Sequence, residues 1–269
     1  MTVLDCVRAR RSVRTFDGRA LKPEDARKIA EYADGVGNPY GFAIDWYLLD
    51  AKKDGLSSPV IVGTDVFMAG KMKRVDHAEE AFGYAFEKVV LFAQAMGVGT
   101  TWIGGTMNRS AFEKAVGLGI DEIMPCVSPL GYPAKKMSLR ESMMRKGVRA
   151  DSRMDLGEVF FDGEPGTPLT PEKAGELRDA FEAVRLGPSA VNKQPWRVVL
   201  RGDRAHFYEC KKRSMAADGM DMQKIDLGIA LCHFEAAAGE NGVKTAFEIK
   251  KPELNTPADW YYIASFKVG

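Results

Sequence analysis

The residues best suited to chemistry stand near the start of the chain, in Arg10-Arg11-Ser12-Val13-Arg14-Thr15-Phe16. Three guanidinium groups and a hydroxyl fall within five residues. Arginine grips phosphate through a fixed fork of donors, and each charge-assisted hydrogen bond contributes roughly 1.5–3 kcal/mol. If the segment is extended, alternation places Arg10, Ser12 and Arg14 on one side. The same residues could equally form a solvated basic patch that ends an N-terminal helix.

A second group lies far downstream, in Gly187-Pro188-Ser189-Ala190-Val191-Asn192-Lys193-Gln194-Pro195-Trp196. Pro195 forces its predecessor out of the helical region, so the run is an ordered loop entering a strand. Asn192 and Gln194 carry amides that can match an edge of a heteroaromatic ring, and Ser189 adds a hydroxyl. A helix-to-strand loop with polar capping would use the same residues. A third group is Thr101-Trp102-Ile103-Gly104-Gly105, where paired glycines after a buried strand let the backbone approach a planar ligand. A tight bend beneath the core reads equally well. The fourth is Leu130-Gly131-Tyr132-Pro133 with Lys135 and Lys136, two lysines that either add charge to a phosphate site or are simply solvated.

Composition narrows the classes. The chain has 269 residues, 45% apolar and 28% charged, with a net charge of +1. Near neutrality argues against a nucleic-acid binder, which usually shows a basic stripe. Cys6, Cys126, Cys210 and Cys232 form no C-x-x-C pair, and no secretory h-region opens the chain. They read as free buried thiols in a reducing cytoplasm. His77, His206 and His233 lack metal-ligand spacing, so no metal is expected. Residues 89–108 are uncharged and long enough to span a bilayer, but their glycines and polar groups fit a buried helix running into a buried strand. No Ser/His/Asp set and no Gly-x-Gly-x-x-Gly loop is present, so no side-chain nucleophile is expected.

The elements that must hold these groups can be read from pattern. Helices are predicted over 21–33, 78–96, from a cap at Asn108 through 116, from a Thr170 cap with Pro171 behind it, and over 221–239. Strands are predicted over 45–50, 59–63, 100–103, 126–131, 196–200, 205–210, 243–249 and 260–268, with a turn at Gly202-Asp203. Residues 151–168 are acidic, contain Gly and Pro, and read as a connector between a first half, 1–150, and a second, 169–269. The halves echo each other. Leu21, Pro23 and Glu24 match Leu169, Pro171 and Glu172; Trp46 matches Trp196; Gly83, Ala85, Gly97, Val98 and Thr100 match Gly228, Ala230, Gly242, Val243 and Thr245. Two like halves would pack about a pseudo-twofold axis, as the subunits of an isologous dimer do.

Together the four groups resemble the nitroreductase family of FMN enzymes, over most of the chain. The resemblance implies an α+β fold of two related halves, each with a mainly antiparallel sheet and packed helices. It implies that Arg10, Arg11 and Ser12 hold the FMN phosphate and that Arg14 reaches the pyrimidine edge, where it would stabilise the reduced ring. Pro188, Ser189, Asn192 and Gln194 would form the loop that the partner subunit supplies in the family. Gly104 and Gly105 match glycines beside the ring, and Gly131 with Lys135 the segment near the phosphate.

Two departures are informative. Where the first half should carry the amide loop it reads Gly37-Asn38-Pro39-Tyr40-Gly41-Phe42; where the second should be basic it reads Phe160-Phe161-Asp162-Gly163-Glu164. Each half lacks one side of a site, so the chain resembles a fused pseudo-dimer with one site, able to act as a monomer. The implied activity is ping-pong hydride transfer from NADH or NADPH to a small acceptor: a nitroaromatic, a quinone or a flavin. A dehalogenase or oxygen-dependent flavin enzyme, a non-catalytic flavin-binding protein, and an α+β interaction module without flavin are the competing readings. Tyr40, Phe42, Trp46 and Tyr132 are candidate aromatics near the ring, with Trp46 equally a core residue. Met137, Met143 and Met144 suggest a lid or a plain surface loop. Membrane and nucleic-acid partners are not expected.

Overall fold

Two long helices cross at the centre of the molecule, and a sheet lies against each side of the pair. The computed structural model describes residues 1–211 and 219–269. The first half runs α1 (Val3–Ala9), α2 (Pro23–Asp34), β1 (Asp45–Asp50), α3 (Ala51–Asp54), β2 (Val66–Lys73), α4 (Ala78–Ala95), α5 (Arg109–Ala115), β3 (Glu122–Ile123), β4 (Val127–Leu130) and α6 (Leu139–Gly147). The second runs α7 (Leu156–Val159), β5 (Phe160–Asp162), α8 (Pro171–Ala174), α9 (Arg178–Leu186), β6 (Trp196–Arg201), β7 (Arg204–Cys210), α10 (Met222–Glu240), β8 (Thr245–Glu248) and β9 (Trp260–Val268).

The sheets share a strand order. In the first, β2 pairs antiparallel with β1 on one side and with β4 on the other, and residues 99–103 add to β4 through antiparallel bridges Gly99–Gly131 and Ile103–Val127. In the second, β7 pairs antiparallel with β6 and β9, and β8 adds antiparallel to β9. Each sheet's long helix follows its central strand, β2 or β7. One addition breaks the match: β5 joins β6 in parallel. The segment that reads as a connector therefore carries a short helix and a buried strand of the second sheet.

Helices α4 and α10 are buried nearly all round, as expected of helices covered on every side. Their crossing uses the matched glycines reciprocally. A Cβ on Gly83 would lie 2.2 Å from the Ile225 carbonyl oxygen, and one on Gly228 would lie 2.1 Å from that of Glu80. Ile225 and Glu80 each stand three residues before the glycine of their own helix, so the contact repeats under exchange of the helices. Each helix also serves both large cores: Phe82 and Phe86 pack with Ile225 and Ile229, whereas Tyr84 packs with Leu227, Leu231 and Phe234. Helix α1 crosses to the second half, where Leu4 and Val7 join Phe160, Phe181 and Trp196.

Three sequence expectations are corrected. Residues 59–63 form a turn with one bridge, Thr15–Val62, because the β-branched residues there flank a glycine at φ +87° instead of pairing in register. Residues 100–103 hold isolated bridges, not a continuous ladder. Met143 and Met144 lie on helix α6, capped by Ser138, and not on a loop, whereas Met137 stands just before the cap. Among the described residues, no helix is long and apolar enough to cross a membrane.

Candidate functional site

The basic segment leaves α1 at Arg10, whose amide donates to the Cys6 carbonyl at 2.8 Å. The chain then runs extended, because flanking segments take its backbone groups. Val13 N donates to Thr100 O at 2.8 Å, Phe16 N to Val62 O at 2.8 Å, and Asp17 N to Tyr132 O at 2.9 Å. Val13 and Phe16 are buried, and Ser12 bridges Thr100 in parallel. Phe16 packs where a side chain on Gly131 would stand, 2.8 Å from that Cβ position. Gly131 is thus required by the core beneath the segment. Lys135 lies exposed just beyond it.

The three arginines of this segment differ in their surroundings. Arg10 is 9% exposed, and among the described residues its Nε and Nη1 have no hydrogen-bond partner. Burial pushes its guanidinium below the usual range; Glu87 opposes this and Arg145 adds to it. Arg11 pairs with Glu141 of α6, Nη1 to Oε1 at 2.9 Å. Arg14 is partly buried and pushed down by burial and by Arg145, against the pull of Glu141. Its amide donates to Glu141 Oε2 at 3.3 Å.

The downstream loop is held in an unusual conformation. Val191, Asn192 and Gln194 have φ of +45°, +57° and +48°, a region that a β-branched residue such as Val191 rarely enters. Buried Asp226 of α10 accepts from Ala190 N at 3.0 and 3.1 Å, and Ser189 Oγ accepts from Gln194 N at 2.9 Å. The amides of Asn192 and Gln194 are turned toward residues 149–154. Asn192 Nδ2 donates to Arg149 O at 2.8 Å and Ser152 O at 3.1 Å, while Gln194 Oε1 accepts from Met154 N at 2.9 Å. Asn192 Oδ1 also accepts from Arg153 Nη1 at 3.5 Å.

Arg153 joins the two groups. Burial pushes its guanidinium down, with Arg10 next in effect; its Nη1 and Nη2 donate to the Ala150, Ser152 and Leu186 carbonyls, and among the described residues its Nε has no hydrogen-bond partner. The loop from the second half therefore fixes a cation that faces Arg10 of the first. Arg145 presses electrostatically on Arg10, Arg14 and Arg153, and Arg10 presses on Arg153, against Glu87 at Arg10, Glu141 at Arg14 and the Asp151 partner of Arg145 at Arg153. Glu87 is already engaged, accepting from Trp102 Nε1 at 3.0 Å and lying 2.8 Å from His233 Nε2. Sequence reasoning missed Arg145, Arg153 and Glu141. For Arg153 a local signal existed, because it stands just before the capping box of Asp155 and Glu158.

The remaining candidates scatter. Gly104 has Met222 against it, 2.4 Å from a would-be Cβ, and its carbonyl accepts from Arg109 at 2.5 Å. Gly105 is exposed with open space beside it, and Pro188 lies half-buried at the loop's start. Trp46 is a core residue, tilted over Phe82 and Phe86 at 5.9 and 5.4 Å. Tyr132 donates to Asp25 at 2.5 Å and carries Arg19 over its ring.

An α+β fold of two like-ordered halves, with a basic strand and a polar loop meeting between them, is nitroreductase-like. The chain belongs to the family described as "Putative TM nitroreductase", which matches residues 2–238. It is similar to a Thermotoga maritima protein solved as a "putative nitroreductase", at 19% identity and a TM-score of 0.63, covering 100% of this chain and 93% of that one. It is also similar to a nitroreductase family protein from Clostridium difficile 630, at 14% identity and a TM-score of 0.47, covering 59% of this chain and 96% of that one. An FMN-dependent nitroreductase from Clostridium difficile R20291 gives 16% identity and a TM-score of 0.42, covering 52% of this chain and 94% of that one. No curated protein matches the chain.

Proposed function

We propose that this protein is an FMN-dependent oxidoreductase that moves hydride from NADH or NADPH to a small acceptor: a nitroaromatic, a quinone or a flavin. The observation that carries this reading is the buried guanidinium of Arg10, whose Nε and Nη1 have no hydrogen-bond partner among the described residues, together with half-buried Arg153, whose Nε likewise has none while its Nη1 and Nη2 donate to the Ala150, Ser152 and Leu186 carbonyls. A buried cation is costly unless an anion meets it. A phosphate would meet both, with Arg145 adding charge and Ser12 a hydroxyl.

When bound, FMN supplies a two-electron carrier that the nicotinamide reduces and the acceptor reoxidises in separate half-reactions. Arg14 would place a partly desolvated positive charge near the ring, where it favours the anionic reduced form. Asn192 and Gln194 would act at one remove, by fixing residues 149–154 and so the position of Arg153. Ser189 and Pro188 would hold that loop, and Gly105 leaves room beside the strand end. Arg11 is engaged by Glu141, and Gly104 and Gly131 have neighbouring side chains against them, so their support for direct contact with the cofactor is weaker. We read the two halves as a fused pseudo-dimer with one such site, able to work as a monomer in the cytoplasm.

The test is flavin quantified per chain by absorption, in the protein as isolated and after incubation with FMN. One equivalent is expected, with the flavin band bleached on anaerobic mixing with NADH or NADPH. No bound flavin in either preparation would overturn the reading, and two equivalents would overturn the single site. Bound flavin that neither nicotinamide reduces would leave a binding protein without this activity.

A further inference from the structure

We propose that Glu141 is an internal counter-ion that competes with a ligand's phosphate for Arg11, so that α6 sets how tightly the basic segment binds phosphorylated ligands. This rests on the reading that the segment binds FMN, and it concerns regulation of that site.

Glu141 is 1% exposed, and it is the sole buried residue of α6. Its carboxylate accepts from Arg11 Nη1 at 2.9 Å and from the Arg14 amide at 3.3 Å. The start of α6 is fixed to the same segment: Ser138 N donates to Thr15 Oγ1 at 3.1 Å, and Thr15 Oγ1 donates to Ser138 Oγ at 3.0 Å. Ser138 Oγ in turn accepts from Glu141 N at 3.1 Å. The helix thus delivers one carboxylate into a row of guanidiniums and holds it there.

The carboxylate meets an arginine that a ligand could reach. The side chain of Arg11 is 31% exposed, whereas Arg10, deeper in, keeps unpartnered nitrogens. A phosphate arriving at Arg10 and Arg153 must do without Arg11 or draw it away from Glu141. Drawing it away leaves a buried carboxylate uncompensated, which is strongly unfavourable. The ion pair therefore caps the affinity of the site. Glu141→Gln keeps the shape and an acceptor for the Arg14 amide while releasing Arg11.

The test compares the parent with Glu141→Gln and with the double variant Arg11→Gln/Glu141→Gln, neither of which buries an unpaired carboxylate. FMN and riboflavin are titrated by flavin fluorescence. Glu141→Gln is expected to bind FMN about tenfold more tightly, as one added charge-assisted hydrogen bond allows. Riboflavin, which has no phosphate, should show no gain, and the double variant should return to the parent's FMN affinity. Unchanged or weaker FMN binding in Glu141→Gln, an equal gain for riboflavin, or a gain that persists in the double variant would each overturn the proposal. If none of the three proteins binds FMN, the functional reading fails, and the counter-ion is tested with inorganic phosphate by thermal shift. Phosphate should then stabilise Glu141→Gln more than the parent or the double variant, and equal stabilisation would overturn it.

Discussion

Residues 35–44, between α2 and β1, and residues 187–195, between α9 and β6, occupy like places in the two halves, each just ahead of a tryptophan-bearing strand. Their contents are opposite. In the first loop Tyr40 stacks on Phe42 and His77 at 6.1 and 5.3 Å and meets Phe247 edge-on at 4.9 Å. Asn38 turns its amide back on the Phe42 backbone, at 2.7 Å to the carbonyl and 3.3 Å from the N–H. In the second, polar side chains fix residues 149–154, and three residues other than glycine are left-handed. The segments that lead into each half differ in the same sense. Residues 10–14 are basic, whereas β5 buries Phe160 and Phe161 and leaves Asp162 and Glu164 to Lys173 and Arg201 at 3.8 and 3.7 Å. One crevice is filled with rings, with the buried Tyr40 hydroxyl left without a hydrogen-bond partner among the described residues. The other holds Arg10, whose Nε and Nη1 have no hydrogen-bond partner among the described residues, while the nearby Glu141 and Asp151 are taken up by Arg11 and Arg145. On the proposed reading, the scaffold gives one crevice to packing and the other to a ligand.

The largest effect should come from the unpartnered cation. Arg10→Met is expected to weaken FMN binding at least about 100-fold, as the loss of two charge-assisted hydrogen bonds allows. The same change should raise the Tm of the flavin-free protein, because a flexible apolar side chain replaces a buried charge without a partner. Flavin titration and thermal unfolding measure the two halves of that claim. A lower Tm would mean that Arg10 is already satisfied within the protein, and the contrast between the crevices would weaken.

Next in size is the helix crossing. Gly83→Ala and Gly228→Ala should each destabilise the protein by about 3 kcal/mol, because the new Cβ meets backbone on the facing helix. Denaturant unfolding should give similar losses at both positions. A large loss at one glycine with none at the other would show that the halves do not share this interface equally.

Much of the scaffold was legible because its signals are local. Pro23 with Glu24 and Asp25 marks the start of α2, and Thr170 accepts from Lys173 N at the start of α8. Strands β6 and β9 are dense in β-branched and aromatic residues. Strand β2 was missed because Gly70 and two lysines interrupt a sequence whose middle is buried on both faces. Helix α6 was missed because its one buried side chain is a glutamate, which leaves no apolar stripe. In the candidate site, Arg10 and the polar loop stand out by residue type. Their joining by Arg153 and the pairing of Arg11 with Glu141 do not, since nothing local brings together side chains more than a hundred residues apart. Residue type also leaves the polar loop's amides open, since an amide fit to read a ring edge is equally fit to hold a neighbouring backbone, as Asn192 and Gln194 do here.

The smallest effect concerns the tryptophans that follow the two loops. Trp46 lies opposite Gly70 across β1 and β2, and Trp196 lies opposite Glu209 across β6 and β7. The Trp46 ring covers Gly70, 2.7 Å from a would-be Cβ, so no larger residue fits there. In the second half the same place holds a carboxyl that is 1% exposed, and its Oε1 has no hydrogen-bond partner among the described residues. Burial, followed by repulsion from Asp221, pushes Glu209 up to about 7. A carboxyl whose folded pKa exceeds its unfolded value binds its proton more tightly when folded. Its contribution is therefore complete below about pH 4.3 and is lost as pH rises through 7. Glu209→Gln should remove that slope while keeping the shape. Urea unfolding of parent and variant from pH 4 to 8 should show the variant gaining relative to the parent as pH rises. A stability difference that stays constant over that range would mean that Glu209 is ionised in the fold and matched by a cation, and that the second half's extra carboxyl is paired after all.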